Sequence, residues 1–205
     1  MFIEDDDYDN DRQEAIQSIL TSAMGRAAES LEKIIDSDVV VSIPSVNWVN
    51  KNNLSETLAK INLPDQSIIM RQSFRGHLRG EMIILLEQGA KHYQLGRVMG
   101  YEERMTSINV QELTLEFANI LSGACINGLS EQLEIKLNFG SPSLLSNNAS
   151  LLNVFSGKKL QWNDALFMDV GYTVNSIAMK THLILCMIEE DSHELYRIID
   201  LQLGQ

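Results

Sequence analysis

The 205-residue chain has only two cysteines, Cys125 and Cys186, and neither lies in a CxxC pair. That spacing excludes a secreted disulfide framework and a cysteine-built zinc site, and it fits a reducing cytoplasm. The chain is also short of base. Its 16 Lys and Arg stand against 28 Asp and Glu, a formal net charge of −12, which argues against recognition of a nucleic-acid backbone and against adhesion to anionic lipid by charge. Long apolar runs are missing as well. The longest uncharged one, Leu183 to Ile188, is far too short to cross a bilayer, and the opening MFIEDDDYDN has neither the basic nor the apolar region of an export signal. Neither nucleic acid nor membrane is therefore expected as a partner. What the chain does have is 44% hydrophobic residues, enough for a sizeable core in a single domain.

Part of the negative charge is local. Glu4, Asp5, Asp6, Asp7, Asp9 and Asp11 place six acids and no base in the first eleven residues. Residues 1–11 therefore read as a flexible acidic tail, leaving one domain over residues 12–205. From Ile16 to Ile35 apolar residues recur at helical spacing, which predicts an amphipathic helix to about Asp36, capped by Asp9 or Asn10. Val39 to Ile43 reads as a strand stopped by Pro44, and Ser45 to Asp65 as a polar connection. Ser67–Phe74 and Glu81–Glu87 read as a hairpin around Gly76 and Gly80, followed by a helical stretch from Ala90 to Met99.

The same order then returns. A second helix carries Leu113, Phe117, Ile120, Leu121, Ala124 and Gly128 on one stripe, and a strand with Ile135, Leu137 and Phe139 ends at Gly140-Ser141-Pro142. A hairpin over Leu166–Val174 and Thr181–Ile188 follows, then a short helix over Glu194–Leu203. A shift of about 101 residues lays Ile16, Ile19, Leu20 and Ala23 on Phe117, Ile120, Leu121 and Ala124, and Ile83-Ile84-Leu85 on Ile184-Leu185-Cys186. The chain reads as a duplication, with halves at about 12–100 and 109–205. The expected fold class is α+β: a pseudo-twofold pair of units, a mostly antiparallel sheet, and two long helices packed side by side on it. A monomer of this kind imitates a dimer internally, while exposed sheet edges leave a homodimer open.

On the second long helix Glu112, Glu116, Asn119 and Gly123 are spaced by four, three and four residues, so they form one row beside the apolar stripe. Glu116 and Asn119 offer a fixed carboxylate and a fixed amide to a partner surface, and Gly123 allows that surface to approach closely. An amide does not titrate, so Asn119 is no general base; it can donate to a phosphoryl oxygen or accept a hydrogen bond from a water and so hold it in place. Glu and Asn are also common on ordinary solvated helix faces, and the spacing alone leaves both readings open.

The row resembles the motif of the CheC/CheX/FliY phosphatases of bacterial chemotaxis: Asp or Ser, three residues, Glu, two residues, Asn, then twenty-two residues and Pro. Glu116, Asn119 and Pro142 match it with the 22-residue gap intact, and Glu112 stands where the family has Asp or Ser. LEFANILSGACINGLSEQL and FRGHLRGEMIILLE are similar to the family's helix and first hairpin. The resemblance implies a CheC-like protein that removes the phosphoryl group from the aspartate of a phosphorylated CheY-like response regulator. Glu116 would pair with the regulator's lysine and Asn119 would orient the attacking water, with Glu112, Gly123 and Pro142 at the docking surface. It further implies that this chain binds no cofactor alone, since Mg²⁺ would come with the regulator. The resemblance also leaves open an adaptor that binds a regulator or a CheD-type deamidase. By the 101-residue shift the first half has Asp11, Ala15 and Ser18 at the motif positions, which predicts a silent site there.

The remaining candidates are weaker. His77, His92, His182 and His193 share no metal-ligand spacing. Arg71, Arg75, Arg79, Lys91, Arg97 and Arg104 concentrate base in mid-chain, as a solvated face or toward an acidic partner. Met70, Met82, Met99 and Met105 read as core filling, and Cys125 as buried and inert.

Overall fold

A computed structural model of the chain describes residues 4–56, 67–87, 96–97, 100, 107–146, 154–155, 162–174 and 177–204. The elements are α1 (Glu4–Ile35), β1 (Val39–Asn50), β2 (Ser67–Gly76), β3 (Gly80–Glu87), α2 (Ser107–Gln132), β4 (Leu137–Phe139), β5 (Ser143–Ser146), β6 (Asp164–Val174), β7 (Ile177–Met187) and α3 (Glu189–Leu203). The expected α+β architecture is present. Among the described residues seven strands form one sheet in the order β1-β6-β7-β3-β2-β4, with β5 also on β2, and every pairing among them is antiparallel.

The sheet order reads the same from either end once the halves are exchanged, which is the signature of the internal twofold. At its centre β3 pairs with β7, and Ile83 faces Ile184, so the residues matched by the 101-residue shift meet across the pseudo-axis. One feature of the pairing was not legible in the sequence. The first strand of each half leaves its own hairpin and pairs with that of the other half, β1 with β6 and β4-β5 with β2.

Alternation along the strands builds two cores. Ile68, Met70, Phe74, Leu166, Met168 and Val170 face the helices and pack with Ile16, Leu20, Met24, Phe117, Leu121 and Cys125. Ile69, Ile83, Phe167 and Ile184 face the other way and pack with Leu54, Phe155 and Trp162. Helices α1 and α2 lie side by side as expected: a Cβ on Gly128 would collide with Ala23, and Arg26 reaches Glu131 at 2.8 Å. Helix α3 is tied to α1 by Arg12, whose guanidinium donates to both oxygens of Asp200 at 2.6 and 2.7 Å. Tyr196 stacks on Trp48 with ring centroids 4.5 Å apart.

Several boundaries differ from expectation. Helix α1 begins at Glu4, within the acidic stretch expected to lie outside it, so Asp9 and Asn10 are interior helical positions rather than caps. Strand β1 runs through Pro44 to Asn50, although Pro44 was expected to stop it. This is tolerated because β1 is an edge strand and its register against β6 shifts by one residue between Ser42 and Ser45, where a missing N–H breaks no ladder bond. Pro142 sits at the matching place. From Phe74/Phe139 to Arg71/Ser143 the β4-β5 side advances one residue more than β2, and β5 forms beyond it, a strand that the residue pattern did not announce. Helix α3 starts at Glu189, earlier than Glu194. The stretch expected to be helical from Ala90 to Met99 lies outside the described residues except for Gly96 and Arg97, which are helical; Met99 and Met105 lie outside them too.

The halves also align differently in their helices. Asp36 and Glu134, the two non-glycine residues with positive φ (52° and 54°) among the described residues, close α1 and α2 in the same left-handed conformation. Their offset is 98 residues. Applied to the helices, it carries buried Ile16, Ile19, Leu20, Ala23, Met24, Ala27 and Leu31 onto Thr114, Phe117, Ala118, Leu121, Ser122, Cys125 and Leu129, all of them buried. The shift of 101 puts two of the seven, Ile19 and Ala23, on half-buried residues and Leu31 on exposed Gln132.

Candidate functional site

Helix α2 rests on the sheet through Phe117, Leu121 and Cys125 and turns Glu112, Glu116 and Asn119 outward, all three exposed. The expected row is thus a surface feature with a rigid base. Beneath Asn119 lies a polar group that spacing did not reveal. Gln72 on β2 is 1% exposed; its Nε2 donates to the carbonyl of Gly140 at 2.5 Å and to Oδ1 of Asn119 at 3.1 Å. Ser122, fully buried one turn beyond Ala118, places its Oγ against Oε1 of Gln72 and 2.5 Å from the Ala118 carbonyl.

This network sets the amide orientations. A carbonyl only accepts, so the Gln72 atom facing Gly140 must be nitrogen. The second proton on that nitrogen then requires an acceptor, which fixes Asn119 with Oδ1 toward the core and Nδ2 toward the exposed side. Gly140 is itself held by its N–H, which donates to the Ser73 carbonyl at 3.0 Å. The long gap between Asn119 and Pro142 therefore closes in space: α2, β2 and the bulge that contains Pro142 meet through one glutamine.

No protein-family model matches the chain, and none of the curated proteins does. Solved structures do. FliY of Thermotoga maritima superposes with a TM-score of 0.68 at 18% identity, over 98% of this chain and 98% of that one. The FliM middle domain of H. pylori follows at 0.62 and 9% identity, over 91% and 97%. A CheC-like superfamily protein of Shewanella sp. PV-4 gives 0.51 at 15% identity, over 82% and 96%. The fold is CheC-like.

In this CheC-like frame Gly123 has a different task from the one expected of it. It is buried, and a Cβ there would lie 3.3 Å from the ring of Phe139 on β4, so its small size serves contact with the chain's own sheet. Pro142 is half-buried at the bulge beside the Gly140 carbonyl. The first-half counterparts are corrected as well: with the helices offset by 98, Glu112, Glu116 and Asn119 fall on Glu14, Ser18 and Thr21 rather than on Asp11, Ala15 and Ser18. Glu14, Ser18 and Thr21 line a shallow depression on α1 with Gln17 and Ser22, but that row has neither the second carboxylate nor the amide.

Cys125 is buried, and burial pushes its thiol up to about 12; it carries no thiolate at neutral pH. His182, 8% exposed, contacts Asp169 at 2.6 Å through Nδ1, and the Ser45 hydroxyl donates to the same carboxylate at 3.0 Å, a satisfied sheet residue. Arg71 faces Glu81 at 3.5 Å and Arg79 lies 3.5 Å from Asp191, so these bases balance acids of their own sheet and of α3. Among the described residues no group of three His, Cys, Asp or Glu is gathered that could hold a metal ion, and no helix is long and apolar enough to cross a membrane.

Proposed function

We propose that this protein hydrolyses the aspartyl phosphate of a phosphorylated CheY-like response regulator. The observation that carries the reading is the exposed pair Glu116 and Asn119 on one face of α2, with the Asn119 amide anchored from below by buried Gln72. An acyl phosphate needs little covalent help. Water attacks phosphorus in line, the bond from phosphorus to the aspartate oxygen breaks, the carboxylate leaves, and inorganic phosphate is released. Mg²⁺ on the regulator would neutralise phosphoryl charge. This chain's contribution is position: Glu116 takes the regulator's lysine by charge, and the Asn119 amide holds the water on the attack line. Positioning of this kind is worth several kcal/mol of barrier, up to about 7–11 in ideal cases.

The likeness to the FliM middle domain favours a second reading, an adaptor that binds a regulator or a CheD-type deamidase without hydrolysis, since the H. pylori FliM was solved bound to SpeE and to FliG. Phosphate release from a phosphorylated CheY-like regulator separates the two readings. The wild-type chain should accelerate release, and Asn119→Ala should lose on the order of 100-fold of that acceleration while still binding. Binding with no acceleration by the wild type would move the protein to the adaptor class.

A further inference from the structure

We propose that Gln72 is the positioning residue of the site: it holds the Asn119 amide in the one orientation that presents Nδ2 outward, and it couples that amide to the bulge at Gly140. The inference rests on the phosphatase reading and deepens it. Geometry supplies the first argument. Both Gln72 Nε2 protons are committed, one to Gly140 and one to Asn119, so turning the Gln72 amide breaks both bonds, and turning the Asn119 amide breaks its bond to Gln72 and sets donor Nδ2 against donor Nε2. A free asparagine side chain on a helix surface would sample both faces of its amide.

The internal symmetry supplies the second argument, because it shows what the fold alone would place there. Gln72 pairs with Met82; the counterpart of Met82 across the pseudo-axis is Leu183, which pairs with Met168. Gln72 therefore corresponds to Met168, and by the helix offset Ser122 corresponds to Met24. Met168 is 0% exposed and Met24 1%. Beneath the surface row that lacks the amide this spot is filled by two methionines, one from each half, while beneath Asn119 it holds an amide and a hydroxyl. Burying polar groups in a core is unfavourable unless they are hydrogen-bonded, and at best about neutral against an apolar filling. Packing does not require the polar pair; orientation of Asn119 does.

The test is Gln72→Met, which installs the side chain the other half uses, with Gln72→Met/Ser122→Met as the fully matched variant should the single one be unstable. Three quantities are measured on the full chain: kcat and KM for the phosphorylated regulator, and the side-chain amide signal of Asn119 in 15N–1H NMR spectra, assigned by its absence from Asn119→Ala. The expected result is kcat lower by about 10- to 100-fold with KM within about twofold, and a displaced Asn119 signal. Wild-type kcat in the stable variant, or an unmoved Asn119 signal, overturns the proposal. If the wild type itself fails to accelerate phosphate release, the phosphatase reading falls, and the Asn119 signal alone still decides whether Gln72 sets the amide.

Discussion

Two helical glycines offer a test of the helix pair in which the sign of the effect carries the information. Gly25 is an exposed interior position of α1 with nothing within 4 Å of where a Cβ would sit, whereas Gly128 is buried on α2, and a Cβ there would collide with Cβ of Ala23 and lie 2.8 Å from its Cα and 3.1 Å from the Arg26 guanidinium. Replacing glycine by alanine inside a helix is favourable by about 0.8–1 kcal/mol from propensity alone. At Gly25 that gain stands unopposed. At Gly128 the Arg26 end can swing aside, but the Ala23 backbone cannot, so α1 and α2 must separate, and overpacking of this kind costs about 1–3 kcal/mol. Gly25→Ala should therefore stabilise by about 0.8–1 kcal/mol, while Gly128→Ala should destabilise by up to about 2 kcal/mol after its own propensity gain. Urea unfolding with unchanged slope reads both through the midpoint, and in a chain of this size each kcal/mol moves Tm by about 2–4 °C. A Gly128→Ala midpoint at or above wild type would mean that the helices do not touch at this point.

Two further outcomes follow from the ionisable groups. The Arg12 guanidinium holds the Asp200 carboxyl below its usual range, so the pair contributes stability that is present above the ordinary aspartate pKa of 3.8 and is lost as pH falls below it. With side chains 27% and 23% exposed, screening keeps the effect small: Asp200→Asn should cost about 0.5–1 kcal/mol at pH 7 by urea unfolding, and the gap to wild type should narrow at pH 3; a gap that widens there refutes the assignment. Cys125 and Cys186 are both buried, with burial, joined for Cys186 by the charge of Glu81, raising their thiols. A thiol reagent at pH 8 should label neither in the folded protein and both in urea, and rapid native labelling would contradict their burial.

Much of the architecture was readable from residue pattern. The long helices, the two hairpins and the duplication follow from apolar period, because a face must be apolar wherever it is buried. The pair Glu116 and Asn119 was readable by its spacing on one helical face. Gln72 left a fainter trace: in the inward alternation Ile68, Met70, Gln72, Phe74 it is the one polar member, a sign that something polar lies opposite, though not what. Gly123 misled, because a small residue in a surface row can serve a partner or the chain's own sheet, and only Phe139 decides between them.

The sequence by itself determined the two long helices and the two hairpins, that two similar units exist, and that one of them carries a carboxylate and an amide one turn apart. Tertiary structure decided the alignment of those units. A helix nearly repeats its apolar pattern after one turn, so offsets of 101 and 98 residues look alike along the chain, whereas the left-handed closures at Asp36 and Glu134 and the burial of each turn admit only the second. It also decided that each first strand pairs with the opposite hairpin and that Gln72 lies under Asn119. Those are contacts between residues far apart in the chain, and no local period encodes them.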